Sequence, residues 1–358
     1  MSNIRVAIAG VGNAASAFYQ SLHYYSGKKS DKILNGFQQS IGPYEIDDIE
    51  IVAAFDVGKT KVGRHLSDAI FEHPNVLPRL TEFPRNNGPI VRKGPVLDGI
   101  GEIVEDILIK STKPEESVSD VLRESEAEIL VALLPTGAHK ATQRYADEAI
   151  QAKTGFVNCT TTKIASTREW GQKFKQSGLP LVGDDLQSKL GGTRIHKGIL
   201  ELLNVYGARI EETYQLDVSG GLEGLNTFDV DRRLVKRTVK SEAIRQAVPY
   251  LSKERVMTGT TDYLDFLENR RVGYFWIEGN FFMDAPFQID ITYKSMDGPN
   301  AAAMLVDIVR AMRIAMDRVV DGPLVSVSAY GFKCPPLYTN ELNARTWFSD
   351  FIEGKRNT

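Results

Sequence analysis

Lys236 and Lys240 stand four residues apart in Arg232-Arg233-Leu234-Val235-Lys236-Arg237-Thr238-Val239-Lys240, so on a helix they share one face. Two ammonium groups placed like that repel each other unless an anion lies between them. The pair is therefore a candidate grip for a phosphate or a developing oxyanion. With Arg232, Arg233 and Arg237 in the same stretch, a plainly solvated basic face is the competing reading. Lys333, beside Pro335-Pro336, and Asp297, in Met296-Asp297-Gly298-Pro299-Asn300, are each either a reacting group or an ordinary ion pair or cap. The adjacent acids Asp184 and Asp185 can raise each other's pKa, bind a cation or cap a helix.

Such groups need a scaffold, and the N-terminus supplies its clearest part. Ile4 to Ala9 is an apolar run suited to a strand buried on both faces, and it breaks into Gly10-Val11-Gly12-Asn13-Ala14-Ala15, which fits G-x-G-x-x-A. Gly10 permits the tight turn, and Gly12 leaves out the side chain that would hold a pyrophosphate away. Asn13 and Ala14 open a helix whose free N–H groups face the phosphates. A second strand, Ile49 to Phe55, ends in Asp56, where a dinucleotide fold places an acid for the ribose diol. An acid there favours NAD over NADP, while Lys59 and Lys61 argue the other way, and a cap or turn role for Asp56 is the alternative. The long gap between Gly12 and Asp56 is explained by a polar insertion from Ser26 to Asp48 that includes Lys28, Lys29, Asn35 and Gly36.

Further along, His73 to Lys113 is rich in Pro, Gly and Asn, and within it Gly94 to Gly101 reads as a long ordered loop of the functional kind. The rhythm then resumes: a helix near Ser117 to Ser125, a buried strand Ile129 to Leu134 ended by Pro135-Thr136-Gly137, and a helix to about Ala152. A strand Gly155 to Cys159, a helix opened by a capping box Ser166-x-x-Glu169 and a strand Leu181-Val182 follow. This is a doubly wound α/β sheet whose strand-end loops at Asn158 and Asp184-Asp185 should converge on the nicotinamide end of a bound cofactor. From Arg209 the period becomes two: Ile210, Tyr214, Leu216 and Val218 read as the buried face of one strand, and Phe287, Ile289, Ile291 and Tyr293 as that of another, with a strand near Gly273 to Ile277 between. One-sided strands without α crossovers predict a mostly antiparallel second domain inserted in the first. A long helix with Leu305, Val309, Met312, Met316 and Val319 on its core face and a last strand Pro323 to Tyr330 complete the chain.

Composition excludes several classes. A net charge of -3 gives no electrostatic case for binding nucleic acid or an anionic membrane, so any basic site must be local. No apolar run reaches a membrane span and no signal peptide precedes the first strand, which leaves the cytoplasm as the expected compartment. Cys159 and Cys334 are too few for a disulfide framework and read as reduced thiols; the five histidines show no zinc spacing.

Taken together, Ala9-Gly10-Val11-Gly12-Asn13, the Gly94–Gly101 loop, Leu134-Pro135-x-Gly137, Phe156-Val157-Asn158, Gly183-Asp184-Asp185, Lys236-x-x-x-Lys240, Asp297-x-Pro299-Asn300 and Lys333-x-Pro335 occur in the order seen in myo-inositol-1-phosphate synthases. The chain resembles the shorter prokaryotic form of that family over nearly its whole length. The resemblance implies a discontinuous NAD-binding Rossmann domain over 1–206 plus 300–358, with an inserted catalytic and tetramerisation domain over 207–299. It implies that acyclic glucose 6-phosphate is oxidised at C5 by NAD, loses a proton from C6, closes by an aldol step onto C1 and is reduced again. On the same analogy Lys236 and Lys240 are the paired active-site lysines, with Lys240 the proton mover, and Lys333 is the third, near the reacting oxygens. Asp297 and Asp185 are then the acids at the nicotinamide end, and Gly10, Gly12, Asn13, Ala14, Asp56, Pro135, Thr136, Gly137, Asn158, Asp184 and Asp185 hold the cofactor. A cation, divalent in archaeal relatives and monovalent in eukaryotic ones, is a further expectation, with Asp184-Asp185 suiting neither exclusively.

Departures from the family pattern cluster around substrate. Where relatives carry Gly-Gly-Asn this chain has Ser219-Gly220-Gly221; the usual Lys-Ser after the acids is Gln187-Ser188, with a lysine displaced to Lys189. Tyr263 stands where eukaryotic members carry a lysine, and Thr160-Thr161-Thr162 replaces an apolar, proline-containing loop. The alternative is a sister NAD-dependent enzyme on a different phosphorylated sugar; a non-catalytic NAD-binding regulator would leave three lysines and two acids without a reason to coincide. Aromatic residues Tyr274, Phe275, Trp276, Phe281 and Phe282 exceed what a small domain readily covers, and a homotetramer contact is expected there.

Overall fold

The computed structural model describes residues 3–27 and 40–358, at 260 and 261 the backbone alone. The part of the polar insertion that holds Lys28, Lys29, Asn35 and Gly36 lies outside the described residues. The first half of the chain runs β1 (Ile4–Ala9), α1 (Asn13–Tyr25), a short hairpin β2 (Ser40–Ile41) and β3 (Tyr44–Glu45), β4 (Ile49–Asp56), α2 (Leu66–Ala69) and β5 (Val91–Lys93). It continues α3 (Val118–Glu124), β6 (Ile129–Ala132), α4 (His139–Ala152), β7 (Gly155–Asn158), α5 (Arg168–Gln176) and β8 (Pro180–Val182). The expected Ser166 capping box does not form: α5 is preceded by Thr167, and the Ser166 hydroxyl instead donates to Asp184 at 2.7 Å, a buried carboxylate being the stronger acceptor.

The second half runs α6 (Gly192–Val205), β9 (Arg209–Ser219), α7 (Leu222–Leu225), α8 (Val230–Arg245), β10 (Val256–Tyr263), β11 (Arg270–Asn280) and β12 (Pro286–Met296). Then come α9 (Asp297–Asp317), β13 (Gly322–Pro323), α10 (Val325–Gly331) and α11 (Glu341–Ile352). The strand expected over Pro323–Tyr330 is thus two residues of strand followed by a helix. Its alternating Val and Ser suggested a period of two, but Ser326, Val327 and Ser328 are all buried, so tertiary packing overrides the local pattern. In α9, Leu305, Val309 and Met312 are core as expected, whereas Val319 lies past the helix end, 85 % exposed and at φ +55°.

The large sheet is parallel throughout, in the order β13-β8-β7-β6-β1-β4-β5. The strand order reverses between β1 and β6, which makes the crevice above their C-terminal ends the place where such folds bind ligands. α1 and α9 pack together on one face of this sheet, so the segment after residue 300 belongs to the same core as β1.

The second sheet has the order β10-β9-β11-β12, antiparallel at two of its pairings. β10 runs parallel to β9, which requires a crossover, and α8 is that crossover; the expectation of strands without α crossovers is corrected here. A second correction concerns the faces of β9. Thr213, Gln215, Asp217 and Ser219 are buried, while Leu216 is exposed and Tyr214 and Val218 are half-buried. Reading a strand by apolarity turned this face outward because a buried polar face has the same period as a solvated one. Of the aromatic residues expected at a subunit contact, Phe275 is instead fully buried and stacks on His196; Tyr274 and Trp276 are on the other face, and Phe281 and Phe282 are exposed.

Candidate active site

The glycine turn is held by backbone geometry. Gly10 sits at φ +97°, and a Cβ there would lie 2.7 Å from the Leu133 carbonyl oxygen, so only glycine fits. At Gly12 a Cβ would meet nothing within 4 Å: the space in front of it is open, as a cradle for a ligand should be. Asp56 fastens the turn, accepting from the N–H of Val11 at 2.8 Å and from those of Val57 and Gly58 at 2.8 and 2.7 Å. Lys61, which argued for NADP, is buried with its ammonium on the Val11 carbonyl at 2.7 Å and on Asn75 at 2.8 Å, and is committed to the protein. The Asn13 side-chain oxygen accepts from Val76 and Leu77 N–H at 2.8 and 3.1 Å, which fixes the side chain at the edge of the crevice.

Other expected cofactor residues act from behind. Asn158 and Asp184 are fully buried and outside the cavity lining: Asp184 accepts from the N–H groups of Ile164, Ala165 and Ser166, from Ser166 Oγ and from Asn158 Nδ2. Burial pushes its pKa up against those hydrogen bonds. Gly137, at φ +90°, also lies outside the lining, whereas Pro135 and Thr136 belong to it.

From this turn a single cavity of about 400 Å³ runs to the second sheet. Gly10, Gly12, Asn13, Ala14 and Asp56 line one end; Asp185, Lys236, Lys240, Asp297 and Lys333 line the other, so the five candidate catalytic residues from distant parts of the chain are brought together. Asp185 is the hub: Lys333 Nζ donates to it at 2.9 Å and Lys236 Nζ at 3.2 Å. Burial alone would raise the Asp185 pKa, but the two lysines hold it below the usual carboxylate range. Burial drives the Lys333 ammonium down to about 8 despite Asp185, with Lys236 adding to the shift. Lys240, one helical turn beyond Lys236, points elsewhere and pairs with the buried Asp217; burial lowers its pKa and Asp217 opposes that. Asp297, the first residue of α9, pairs with Arg271 at 2.5 Å rather than with a lysine.

Sequence reasoning missed Asp217, Arg271 and Glu223, all of which line the cavity. Glu223 lies 3.6 Å from Arg271 and is 46 % exposed. The available signal for Asp217 was the make-up of its strand face, Thr213, Gln215, Asp217 and Ser219, with no lysine or arginine of the kind solvated faces carry. With them the lysine end holds Lys236, Lys240, Lys333 and Arg271 beside Asp185, Asp217, Glu223 and Asp297, and Arg194 also belongs to the lining.

The departures from the family pattern also have places. Gln187 lines the cavity and donates to Glu341 at 2.7 Å; the displaced Lys189 is turned onto the buried Asp307 at 2.5 Å and does not replace a cavity cation. A Cβ on Gly221 would lie 2.3 Å from Glu223 Oε2, so the Glu223 carboxylate occupies the room of the missing side chain. Thr160 and Thr161 line the cavity, and Thr161 Oγ1 is buried without a hydrogen-bond partner. Tyr263 is outside the lining, and both cysteines are free. Among the described residues no three His, Cys, Asp or Glu side chains gather to hold a metal ion, and the donors of Asp184 and Asp185 are committed as above. No helix among them is long and apolar enough to cross a membrane.

Comparison with known proteins agrees with this geometry. The family model for Myo-inositol-1-phosphate synthase matches residues 191–298, the stretch that carries Asp217, Lys236, Lys240 and Asp297. The inositol-3-phosphate synthase of Mycolicibacterium smegmatis is 37% identical over 357 residues, spanning 98% of each chain. Among solved structures, Ari2 is 30% identical with a TM-score of 0.77, over 98% of this chain and 100% of that one. A myo-inositol-1-phosphate synthase-related protein from Thermotoga maritima has the same fold, with a TM-score of 0.81 at 22% identity over 98% of both chains. A full-length match at this identity, together with three lysines and their acids in one cavity with a dinucleotide turn, shows that the chain belongs to the inositol-3-phosphate synthase family.

Proposed function

We propose that this chain converts D-glucose 6-phosphate to 1D-myo-inositol 3-phosphate with bound NAD, without net redox. The observation that carries the reading is the joining of the glycine turn and the three-lysine cluster in one cavity. NAD fits at the turn: the open space at Gly12 and the first N–H groups of α1 would take its phosphates, and Asp56 its ribose. When bound there it supplies reversible hydride transfer. The residues do the rest. Lys236 and Lys240 present fixed ammonium groups to a phosphate and to oxygens that gain charge, inside a site where such charges act strongly. Lys333, which burial pushes down to about 8, holds or moves a proton at the reacting oxygens, and Lys240, also lowered by burial against the pull of Asp217, is a second proton carrier. Asp185 keeps Lys236 and Lys333 in place.

Product from glucose 6-phosphate plus NAD, identified by mass and phosphorus NMR, tests this. It should form with substoichiometric NAD and no lasting NADH absorbance; NADH accumulating in step with product would establish a dehydrogenase instead. A second reading, a sister enzyme on another phosphorylated sugar, is favoured by Gln187 and Glu223, which replace a cation and an amide at the cavity wall. The same assay over a panel of sugar phosphates separates the two.

We also assign 1–206 plus 300–358 to the NAD-binding unit and 207–299 to the catalytic and tetramerisation unit, supported by the packing of α9 on α1 and by β12, whose residues are exposed or half-buried along its length. Light scattering should then give about four times the 39.8 kDa chain mass.

A further inference from the structure

Of the basic residues around the lysine pair, Arg233 and Arg237 are exposed and form the solvated face, but Arg232 is buried. It occupies the same helical face as Lys236 and Lys240, one and two turns earlier. Its Nη1 donates to the Thr136 carbonyl at 2.6 Å and its Nη2 to the Asp98 carbonyl at 2.7 Å. The Thr136 carbonyl takes a second hydrogen bond from Asn226 Nδ2 at 3.3 Å, again from the segment leading into α8. Asp98 in turn caps α4, its carboxylate accepting from Lys140 and Ala141 N–H at 2.7 and 3.0 Å. The glycines of both loops are shaped around this side chain: a Cβ on Gly137 would lie 2.8 Å from Arg232 Cγ, and one on Gly101 2.8 Å from its Nε. One planar guanidinium therefore bolts together the strand-end loop at Thr136, the covering loop at Asp98 and the helix that carries two of the lysines.

We infer that Arg232 is a positioning residue that couples the dinucleotide loop to the lysine helix, so that occupancy of the cofactor end and of the lysine end strengthen each other. This rests on reading the cavity as a joint cofactor and phosphate site. Thr136 borders the cofactor end, and any shift of its peptide reaches Lys236 and Lys240 through a rigid fork and a single helix. Such coupling is reciprocal: the factor by which an anion tightens NAD equals the factor by which NAD tightens the anion. A lysine at 232 keeps the charge but cannot span two carbonyls with fixed geometry.

The test is calorimetric titration of the full chain with NAD, in the absence and presence of saturating inorganic phosphate. In the wild type phosphate should tighten NAD by about fivefold or more. Arg232→Lys, with an unchanged melting temperature, should bring that ratio close to one; Arg232→Ala should do the same, with the ratio restored by added guanidinium. Asn226→Ala, which removes the second donor to Thr136, should lower it in part and serves if either Arg232 variant fails to fold. A wild-type ratio of one, or a ratio that survives in Arg232→Lys, overturns the coupling. Wild-type product analysis is read separately, so a chain that makes inositol phosphate with a ratio of one refutes the latch and leaves the function standing.

Discussion

The two ends of the cavity are built in different ways. At the dinucleotide end the working parts are backbone: a glycine at φ +97°, an open space at Gly12, helix N–H groups, and Asp56 tying Val11, Val57 and Gly58. At the lysine end they are side chains carried by the loop after β8, β9, α8, β11, α9 and the segment after α10, held by ion pairs between residues up to 148 positions apart. A backbone site is encoded in a few adjacent residues and tolerates little change at them. A side-chain site is assembled from the whole fold, and each member can be altered without moving the chain. Substitutions at the turn should therefore act first on cofactor binding, reaching folding where an added Cβ strikes the backbone or N–H groups lose their acceptor, and those at the lysine end should act first on chemistry.

The largest effect should come from Lys240→Ala. Turnover should fall about 10²- to 10⁴-fold with NAD affinity nearly unchanged, read by steady-state kinetics beside cofactor titration. A loss of less than threefold would return Lys240 to a structural ion pair with Asp217. Next, Gly12→Ala should weaken NAD about tenfold or more while the melting temperature holds, because its Cβ meets no protein atom. An equal loss in Gly10→Ala without destabilisation would contradict the steric account, since that Cβ strikes the Leu133 carbonyl. Third, Asp56→Ala strands buried N–H groups of the turn, so it should cost about 1–3 kcal/mol of stability by denaturant unfolding as well as weakening NAD. Intact stability would show that these N–H groups find other partners.

The smallest effect is a pH dependence. The folded pKa of Lys333 is lowered to about 8 from 10.5, so between those values the unfolded chain binds the extra proton. Stability from this group is therefore lowest below pH 8 and rises as pH climbs through about 8 towards 10.5. Denaturant midpoints across that window should rise in the wild type, and Lys333→Met should flatten the rise. An unchanged slope in that variant would place the titration elsewhere.

How much of this was legible in the residues differs by end. The turn Gly10–Ala15 and the strand ending at Asp56 were readable because strand, turn and helix follow one another along the chain and local sterics dictate their conformation, whereas of the strand-end loops Pro135, Thr136 and Asp185 line the cavity and Gly137, Asn158 and Asp184 lie behind it. The spacing of Lys236 and Lys240 correctly put them on one helical face, but not that they would part to different acids. Asp217 and Arg271 were hard to read for a physical reason: a polar residue at period two looks much the same whether its face meets water or a cavity, and the absence of lysine and arginine on the Asp217 face was the one cue; Glu223, on the short helix α7, carries no such pattern. Only the fold, by laying β9 against α6 and pairing Asp217 with Lys240 of α8, decided that Gln215 and Asp217 face inward and Leu216 outward. The same holds for α10, whose Val-Ser alternation suits a strand until burial of both residue types selects a helix. By itself the sequence determined the doubly wound sheet, the dinucleotide turn and the set of lysines, because those depend on short-range backbone and helical periodicity. The tertiary structure decided which acid holds which lysine, and that Arg232 joins the two ends, because those pairings bring residues many positions apart within hydrogen-bond reach.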